Sequence, residues 1–334
     1  MRDGADRAFF GAESARLAAV CDEMAVRFGR GGRLLACGDE SDARHVAVEF
    51  VHPVIVGKRA LPALALPASV LALEAEADDI VMVFDGRSVT VLDEVFAPPV
   101  DDPFVAQELI ETLYHVLWEL VHVFIEHRER SPVGAGAAGF LYPFLGASEG
   151  AGDLDAVRAD VARSIEAKAD EIAALRAEVL AENAGVLEAA ARAVGGRVLA
   201  LGNGGSATDA LDVVADLRAR GMRALDLTDD PPILTAIAND IGVEAMFARQ
   251  VIAHGRPGDT LLTFSTSGSS ANVLAALAEA RRRGLVTVAF VGYGGGRIAA
   301  EGLADFVVVV RSEHIPRIQE AQASAYHTLV ELAT

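Results

Sequence analysis

The sequence predicts an α/β fold made of two tandem three-layer α/β/α domains with mainly parallel sheets, the first of them truncated. Three observations predict this fold. Segments of the first half recur in the second half, strand-like apolar runs alternate with amphipathic helical runs, and a stretch rich in Gly, Ala, Ser and Pro separates the halves. The predicted boundaries are residues 1–130 for the first domain, 131–153 for the linker and 154–334 for the second domain.

Three pairs of segments carry the internal repeat. GGRLLACG at 31–38 matches GGRVLALG at 195–202, and DDIVMVFDG at 78–86 matches GDTLLTFSTSG at 258–268. QELIETLYHVLWEL at 107–120 matches QEAQASAYHTLVEL at 319–332, with a Gln and a Tyr-His pair at the same places. The offset between the copies grows from 164 to 180 to 212 residues, so the first copy is shorter and has lost material mainly after its DDIVMVF strand.

Composition narrows the function classes. A formal net charge of −19 argues against a nucleic-acid groove, because phosphate backbones require clustered Lys and Arg. Neither a signal peptide nor an apolar run long enough to cross a bilayer is evident, so neither export nor membrane insertion is expected. The two cysteines, Cys21 and Cys37, lie in apolar surroundings and indicate buried thiols in a reducing cytoplasm.

The second half predicts a sheet with two ligand-binding loops. RVLALG, ALDLT, TLLTF, TVAFVG and FVVVV read as strands separated by amphipathic helices. Ligands bind such sheets at the carboxyl ends of the strands, where GNGGSATDA (202–210) and STSGSSANV (265–273) lie. Hydroxyls and backbone N–H groups at a helix start suit a phosphate dianion. A Ser-rich helix cap is the alternative for either loop, but two such loops after strands of one domain favour phosphate binding.

The second copy resembles the sugar isomerase (SIS) domain and, within it, the phosphoheptose isomerase family. The resemblance covers roughly residues 155–334. The motifs that carry it are GNGGS at 202–206, TAIAND at 235–240, STSGSS at 265–270, GYGGG at 292–296, and RIQE at 317–320 followed by His327.

The resemblance implies a reaction and a set of residues. Family members interconvert sedoheptulose 7-phosphate and an aldoheptose 7-phosphate, with a Glu and a His as base and acid. Some bind zinc through a His and that Glu, four residues apart, together with the Gln and His of the last helix. By resemblance, the phosphate is expected at Ser265, Thr266, Ser267 and Ser270, and the sugar at Asn203, Gly204, Ser206, Asp229 and Gln319. A homodimer is also expected, giving a pseudo-tetramer of SIS units.

Each copy departs from this pattern in a different way. The second copy has Asp212 and Asp216 where the family has His and Glu, which shortens the base by one methylene. The first copy has His45 and Glu49 four apart on one helical face, but its VMVF strand runs into DGRSVT without a Ser-rich loop. A lone His-x3-Glu is usually a surface pair. The matching Gln107 and His115 in the first copy make that interpretation less favoured.

Helix geometry predicts an exchange of histidines between sites. Gln and His are eight residues apart, which is about 12 Å along a helix, so both reach one ion only with difficulty. We therefore expect each centre to take its histidine from another copy, either in the same chain or in a second chain. The expected metal set is His45, Glu49, Gln107 and His327, and the other centre combines Asp212, Asp216 and Gln319 with His115. The alternative is that the repeated helix only packs in the core, because its leucines form an apolar stripe. Packing does not explain why both copies carry the Gln and the His at the same places.

The sequence therefore predicts a heptose phosphate isomerase. A carboxylate, Glu49 or Asp216, would move a proton through an enediol, His115 or His327 would act as the acid, and zinc is the expected metal. The alternative is a non-catalytic SIS protein that binds sugar phosphates, of the kind that binds the bacterial replication initiator. A dinucleotide-dependent dehydrogenase is disfavoured, and no nucleotide cofactor is expected, because no G-x-G-x-x-G fingerprint follows a strand.

Overall fold

A computed structural model of the chain describes residues 4–53, 58–128 and 154–334. These residues form two compact units, Met1–Ala173 and Ala174–Thr334. Among the described residues, no helix combines the length and the apolar character that a membrane crossing requires.

The described part of the first unit contains a small sheet and four helices, followed by a long helix that continues into the second unit. Its elements, in chain order, are α1 (Ala5–Gly29), β1 (Leu34–Gly38), α2 (Glu40–Val51), β2 (Ala63–Ala65), α3 (Ala68–Glu74), β3 (Ile80–Phe84), β4 (Val89–Val91), β5 (Glu94–Phe96) and α4 (Pro103–Arg128). Its core includes apolar side chains of α1 and α4. Cys21 and Cys37 are buried free thiols, as the sequence predicts.

The first sheet shows how the first copy is shortened. Its strand order is β2-β1-β3-β4-β5. β1 pairs in parallel with β2 and β3, but β4 and β5 follow as antiparallel strands joined by tight turns. The turn between β4 and β5 uses Leu92 and Asp93, both with positive φ. Two short hairpins therefore stand where the second unit has a helix and further parallel strands, and the predicted loss of material after the DDIVMVF strand is confirmed.

The second unit alternates strands and helices throughout. Its elements are α5 (Leu154–Ala193, which begins in the first unit), β6 (Val198–Leu201), α6 (Gly205–Ala219), β7 (Ala224–Asp226), α7 (Pro231–Asp240), a 3₁₀ turn (Val243–Ala245), α8 (Met246–His254), β8 (Thr260–Ser265), α9 (Ala271–Arg282), β9 (Val286–Val291), α10 (Gly296–Ala300), β10 (Phe306–Val309) and α11 (Ile315–Ala333). Proline opens α7 and α11, where its missing N–H costs nothing.

The second sheet is parallel throughout its five strands, in the order β10-β9-β8-β6-β7. Every residue of β6 and β8 is buried, as expected for central strands with both faces covered by helices. The order places β6 and β8 side by side, so the loops that leave their carboxyl ends are neighbours. The predicted fold class, α/β with mainly parallel sheets, is confirmed.

The division between the units falls inside α5, at Ala173 and Ala174. The predicted second domain begins at residue 154, so the first part of α5 belongs to the first unit instead. The predicted linker, residues 131–153, lies outside the described residues.

Two equivalent aspartates close the same turn in both units. Asp79 Oδ1 accepts the backbone N–H of Arg33 at 2.7 Å, and its Oδ2 accepts that of Glu76 at 3.0 Å. Asp259 Oδ1 accepts the backbone N–H of Arg197 at 2.8 Å, and its Oδ2 accepts that of Arg256 at 3.0 Å. The pairing of these aspartates in the sequence repeat therefore reflects a structural role at the start of β1 and β6.

Replacing Asp79 with Asn is expected to reduce the free energy of unfolding by about 1–3 kcal/mol near neutral pH, because buried N–H donors lose a charged acceptor. Burial raises the pKa of Asp79, but hydrogen bonds from Arg33 and Glu76 outweigh it and lower the pKa overall. A lowered pKa means that the stabilisation is present at neutral pH and is lost as the pH falls below about 4. Urea denaturation at several pH values measures this loss.

The matched control is Asp78→Asn, since Asp78 is the half-exposed neighbour and its side chain forms an ion pair with Arg30 at 3.5 Å. Its effect on stability is expected to be within about 0.5 kcal/mol. A difference between wild type and Asp79→Asn that stays constant down to the acid limit would contradict the assigned role.

Candidate active site

A hydroxyl-rich loop leaves the carboxyl end of the central strand β8. Ser265 is buried, Ser267 is exposed, and Gly268 between Ser267 and α9 has a φ of +58°. The backbone N–H of Gly268 donates to Ser265 Oγ at 3.2 Å, and the hydroxyls of Ser265 and Ser270 are 3.5 Å apart. Ser270 is the N-cap residue of α9, yet its side chain makes no capping hydrogen bond. Hydroxyls and a helix N-terminus therefore converge at one point, which suits an anion.

The glycines at 292–296 hold this loop in shape. The backbone N–H of Gly292 donates to Thr266 O at 3.0 Å, and that of Ile298 donates to Gly268 O at 3.0 Å. A Cβ on Gly268 would lie 2.3 Å from Gly295 O, and a Cβ on Gly296 would lie 2.2 Å from Ser267 O. The two loops approach so closely that only glycine fits between them.

A pair of amides joins the loop after β6 to the loop after β8. Asn203 Nδ2 donates to Asn272 Oδ1 at 3.0 Å, and Asn272 Nδ2 donates to Asn203 Oδ1 at 2.8 Å. Asn203 is exposed, whereas Asn272 and Ser206 are buried. Sequence reasoning singled out Asn203 and Ser206 but missed Asn272, although it lies in the quoted loop STSGSSANV. This reciprocal pair fixes the two predicted ligand loops side by side.

Three titratable side chains meet between α6 and α11. His327 Nε2 lies 3.4 Å from Asp212 Oδ2 and 3.6 Å from Asp216 Oδ2. Tyr326 donates its hydroxyl to Asp212 Oδ2 at 2.7 Å. His327 is buried, while the side chains of Asp212 and Asp216 keep 13% and 23% of their surface exposed. One face of this group is therefore accessible to a substrate.

The first unit repeats this arrangement with different residues. The Tyr114 hydroxyl lies 3.0 Å from His45 Nδ1, and the rings of His45 and His115 meet edge to face at 5.1 Å. His45 Nε2 lies 3.9 Å from Glu49 Oε1. Burial raises the pKa of Glu49 to about 7. Burial and, to a smaller extent, the neighbouring His115 lower the pKa of His45 well below its usual value.

The first unit also contains two buried carboxylates that sequence reasoning missed. Glu111 and Glu119 lie one helical turn before and after His115 on α4, and both are at most 5% exposed. Glu119 Oε2 forms an ion pair with Lys168 of α5 at 2.5 Å. One ligand atom from each of His45, Glu111 and His115 lies within 4.8 Å of the others, as does one from each of Asp212, Asp216 and His327. The four-residue spacing of Glu111 and His115 was the available signal.

Comparison with known proteins identifies the family. The SIS domain family matches residues 162–292. The phosphoheptose isomerase of Rhodospirillum rubrum is 43% identical over 162 residues, which is 47% of this chain and 85% of that protein. The phosphoheptose isomerase of Desulfovibrio desulfuricans is 46% identical over 180 residues, which is 50% of this chain and 85% of that protein. The chain belongs to the phosphoheptose isomerase family of SIS-domain proteins.

A solved structure extends the likeness in fold to almost the whole chain. The C-terminal domain of glucosamine-fructose-6-phosphate aminotransferase from Francisella tularensis covers 97% of this chain, and the match spans 95% of that domain. The TM-score is 0.55 at 10% identity, so the likeness concerns the fold alone. It supports an SIS-like fold for the first unit as well as the second.

Within the chain, each histidine of the repeated helix lies against residues of its own unit, so an exchange of histidines between the two copies is not seen; an exchange with a second chain stays a prediction. His115 lies against His45 in the first unit, and His327 lies against Asp212 and Asp216 in the second. The Gln and the His of one helix do not need to reach a single point. Instead, Gln107 Nε2 donates to Asp42 Oδ1 at 3.4 Å, one helical turn before His45 on α2. The two polar residues thus face successive turns of a single neighbouring helix.

Among the described residues of the first unit, no counterpart of the hydroxyl-rich loop after β8 is found. Its β3 leads into a turn in which Asp85 Oδ1 accepts the backbone N–H groups of Arg87 and Ser88, at 2.9 and 2.6 Å. The N-terminus of α2 is capped by Asp39, whose carboxylate accepts from the backbone of Ser41 and Asp42. A carboxylate therefore sits where a phosphate would bind, which disfavours a second anion there.

Of the other residues expected from the family pattern, one precedes α6, one lies between β7 and α7, and one lies near the start of α11. Gly204 has a φ of +57° and precedes α6 without a side-chain cap. Asp229 is exposed in the loop between β7 and α7, and Gln319 is buried near the start of α11. Arg317 and Glu320 of the RIQE motif form a buried ion pair at 2.7 Å. The RIQE motif therefore contains a structural ion pair in addition to Gln319.

Proposed function

We propose that the second unit isomerises a seven-carbon sugar phosphate and interconverts sedoheptulose 7-phosphate and an aldoheptose 7-phosphate. The observation that carries this proposal is the presence, in one unit, of the hydroxyl-rich loop after β8 and the group formed by Asp212, Asp216 and His327. The relatives named phosphoheptose isomerases support the choice of a heptose phosphate.

The phosphate is proposed to bind at the loop that precedes α9. The contacts would come from four hydroxyl groups and from the helix N-terminus, which Ser270 does not cap with its side chain. The hydroxyl groups are those of Ser265, Thr266, Ser267 and Ser270. Binding at this end positions the other end of the sugar for reaction, which converts binding energy into orientation. Asn203, Gly204 and Ser206, beside the loop, are proposed to contact the sugar, with Asp229 and Gln319 as further candidates.

Asp216 is proposed as the base and His327 as the acid. Starting from the ketose, the Asp216 carboxylate takes a proton from C1 while His327 gives a proton to the oxygen on C2, which yields an enediol. Asp216 then returns a proton to C2, the C1 hydroxyl loses its proton to His327, and the aldose forms. The distance of 3.6 Å between Asp216 Oδ2 and His327 Nε2 supports their action on adjacent atoms of one substrate. Of the two carboxylates named from the sequence, Asp216 is preferred because Glu49 has no phosphate loop in its unit.

Asp212 and Tyr326 are proposed to orient the acid. Asp212 Oδ2 lies 3.4 Å from His327 Nε2 and accepts the Tyr326 hydroxyl at 2.7 Å. A carboxylate held in place beside an imidazole fixes the orientation of the ring. Both residues of the Tyr-His pair in the second unit therefore have a proposed role: Tyr326 holds Asp212 in place, and His327 acts as the acid.

Zinc, implied by the family resemblance, fits two groups of side chains. Asp212, Asp216 and His327 offer two carboxylates and one imidazole, all of them ligand types that zinc accepts. Bound there, the ion would polarise the substrate carbonyl, but no proton transfer above depends on it. The family's set corresponds in the first unit to His45, Glu49, Gln107 and His115, and the two imidazoles make that unit the better match to zinc.

The proposal also retains the expected homodimer, with four SIS units in the assembly. Light scattering on the purified chain tests this part: we expect about twice the mass of the 334-residue chain. A monomer would contradict the dimer and leave the proposed chemistry of the second unit unaffected.

Incubation with sedoheptulose 7-phosphate is expected to produce an aldoheptose 7-phosphate, detected by chromatography of the sugar phosphates. A six-carbon ketose phosphate serves as the matched substrate and is expected to react at least about tenfold more slowly, because affinity and orientation depend on the distance from the phosphate to the reacting carbons. Binding of both sugars without turnover of either would contradict the isomerase and support the non-catalytic SIS alternative. Faster reaction of the six-carbon sugar would contradict the substrate class.

A further inference from the structure

Five titratable side chains are buried together in the first unit, between α2 and α4. They are His45, Glu49, Glu111, His115 and Glu119, each at most 5% exposed. Lys168 balances Glu119 with an ion pair at 2.5 Å. Burying further carboxylates is costly unless a positive charge compensates them. A cation beside Glu49, at the other end of this cluster, would therefore be strongly stabilised.

Glu49 is an independent sign of a missing ligand. It is 1% exposed, and its Oε2 atom is buried and accepts no hydrogen bond from the described residues. Its other oxygen, Oε1, lies 3.9 Å from His45 Nε2, which places the carboxylate at the edge of the histidine cluster. Buried carboxylate oxygens in native proteins are nearly always hydrogen-bonded or bound to a metal.

The geometry of the cluster matches a metal centre built from two facing helices. His45 and Glu49 are one turn apart on α2, and Glu111 and His115 are one turn apart on α4, so each helix offers two ligands on one face. The ligand atoms of His45, Glu111 and His115 lie within 4.8 Å of one another. Tetrahedral bonds of about 2.0–2.1 Å hold ligand atoms roughly 3.3 Å apart, so small rotations of the side chains bring these atoms to bonding distance.

An outer contact orients the first ligand. The Tyr114 hydroxyl lies 3.0 Å from His45 Nδ1, whereas His45 Nε2 faces Glu49. When Nδ1 donates its proton to the tyrosine oxygen, Nε2 carries a lone pair directed at the cluster. A hydrogen bond on the far nitrogen of a metal-binding histidine is a common feature of metal sites.

We propose that the first unit holds a structural divalent transition-metal ion, with His45, Glu111 and His115 as ligands and Glu49 as the fourth. Two imidazoles with carboxylates favour zinc over magnesium or calcium. Glu111 lies outside the ligand set that the resemblance implies, in which a glutamine eight residues before the histidine binds the metal. Because this unit has no phosphate loop and Asp39 caps α2, the ion stabilises the fold of the unit and does not act on a sugar phosphate.

The test measures zinc in the full-length chain. Wild-type protein is stripped with a chelator, incubated with zinc chloride and desalted, and its zinc content and thermal midpoint are determined. We expect zinc to bind and to raise the midpoint, and we expect Glu111→Gln to lose one equivalent, with at least about tenfold weaker binding. Cobalt in place of zinc gives a visible absorption band that reports the ligand set and should change in Glu111→Gln.

Two controls separate this site from other sources of zinc. Glu108→Gln removes another buried carboxylate of α4 that is not in the cluster, and Asp216→Asn alters the second unit. Both variants are expected to keep the equivalent of zinc that Glu111→Gln loses. If Glu111→Gln does not fold, the cobalt spectrum of His45→Asn provides the same comparison. Wild type without bound zinc, or zinc lost in Asp216→Asn and kept in Glu111→Gln, would overturn the proposal.

The outcome is separate from that of the proposed isomerase, because metal content, absorption and unfolding are measured without substrate. A chain that binds zinc in the first unit and turns over no heptose phosphate would support this inference and contradict the proposed function alone.

Discussion

Replacing Asp216 with Asn is expected to lower kcat for sedoheptulose 7-phosphate by at least about 10²-fold, with a small change in KM. The amide keeps the shape of the side chain but cannot accept the C1 proton, and general base catalysis typically contributes factors of 10² to 10⁴. KM is expected to be preserved because the loop after β8, which is proposed to bind the phosphate, is untouched. Steady-state kinetics on both proteins, with aldose formation as the readout, measure the two parameters.

The matched variant is Glu49→Gln at the corresponding position of the first unit, where the carboxylate is 1% exposed. Its loss in kcat is expected to be less than about tenfold, since its unit has no phosphate loop to bring a substrate to it. A larger loss in Glu49→Gln than in Asp216→Asn would move the chemistry to the first unit and contradict the proposed assignment.

Replacing Gly268 with Ala is expected to abolish detectable binding of the sugar phosphate, with Kd raised by at least about 10²-fold. The new Cβ would lie 2.3 Å from Gly295 O, and the residue has a φ of +58°, so the backbone of the loop must move. Movement of the loop separates its hydroxyl groups from the N-terminus of α9. Calorimetric titration with sedoheptulose 7-phosphate, and with inorganic phosphate as a second ligand, measures the loss.

Gly86→Ala is the matched control for Gly268→Ala. Gly86 follows the corresponding strand of the first unit with a φ of +82°, but a Cβ there meets no atom within 4 Å. This variant shares the strain of a positive φ without the steric clash, and its Kd is expected to be close to that of wild type. Equal binding by wild type and Gly268→Ala would show that the phosphate does not depend on this loop.

Much of the second unit could be predicted because its signals are local. β-branched and apolar runs such as TLLTF and TVAFVG specify buried parallel strands whatever lies around them, and they form β8 and β9. The loops that follow such strands meet at one edge of the sheet. Their polar residues could therefore be assigned to one site before any contact between them was known. The shortening of the first copy could also be predicted, because the offset between the matching segments grows along the chain.

The contacts between helices could not be predicted in the same way. Spacing along a helix gives the distance between Gln107 and His115, but it does not tell which turn of the neighbouring helix each residue meets. In the structure Gln107 reaches Asp42, whereas His115 reaches His45 one turn later. Glu111 was overlooked for a related reason, because a glutamate in a leucine-rich helix is ordinarily assigned to the exposed face.

The central claim is that the second unit moves a proton between C1 and C2 of a heptose phosphate, and an NMR time course in D₂O tests it most directly. The side chain of Asp216 is 23% exposed, so the proton it removes is expected to exchange with solvent before it returns. With wild type and sedoheptulose 7-phosphate we expect aldoheptose 7-phosphate to accumulate with deuterium at C2. A spectrum in which the sugar phosphate binds, while neither aldose nor deuterium appears, would contradict the account.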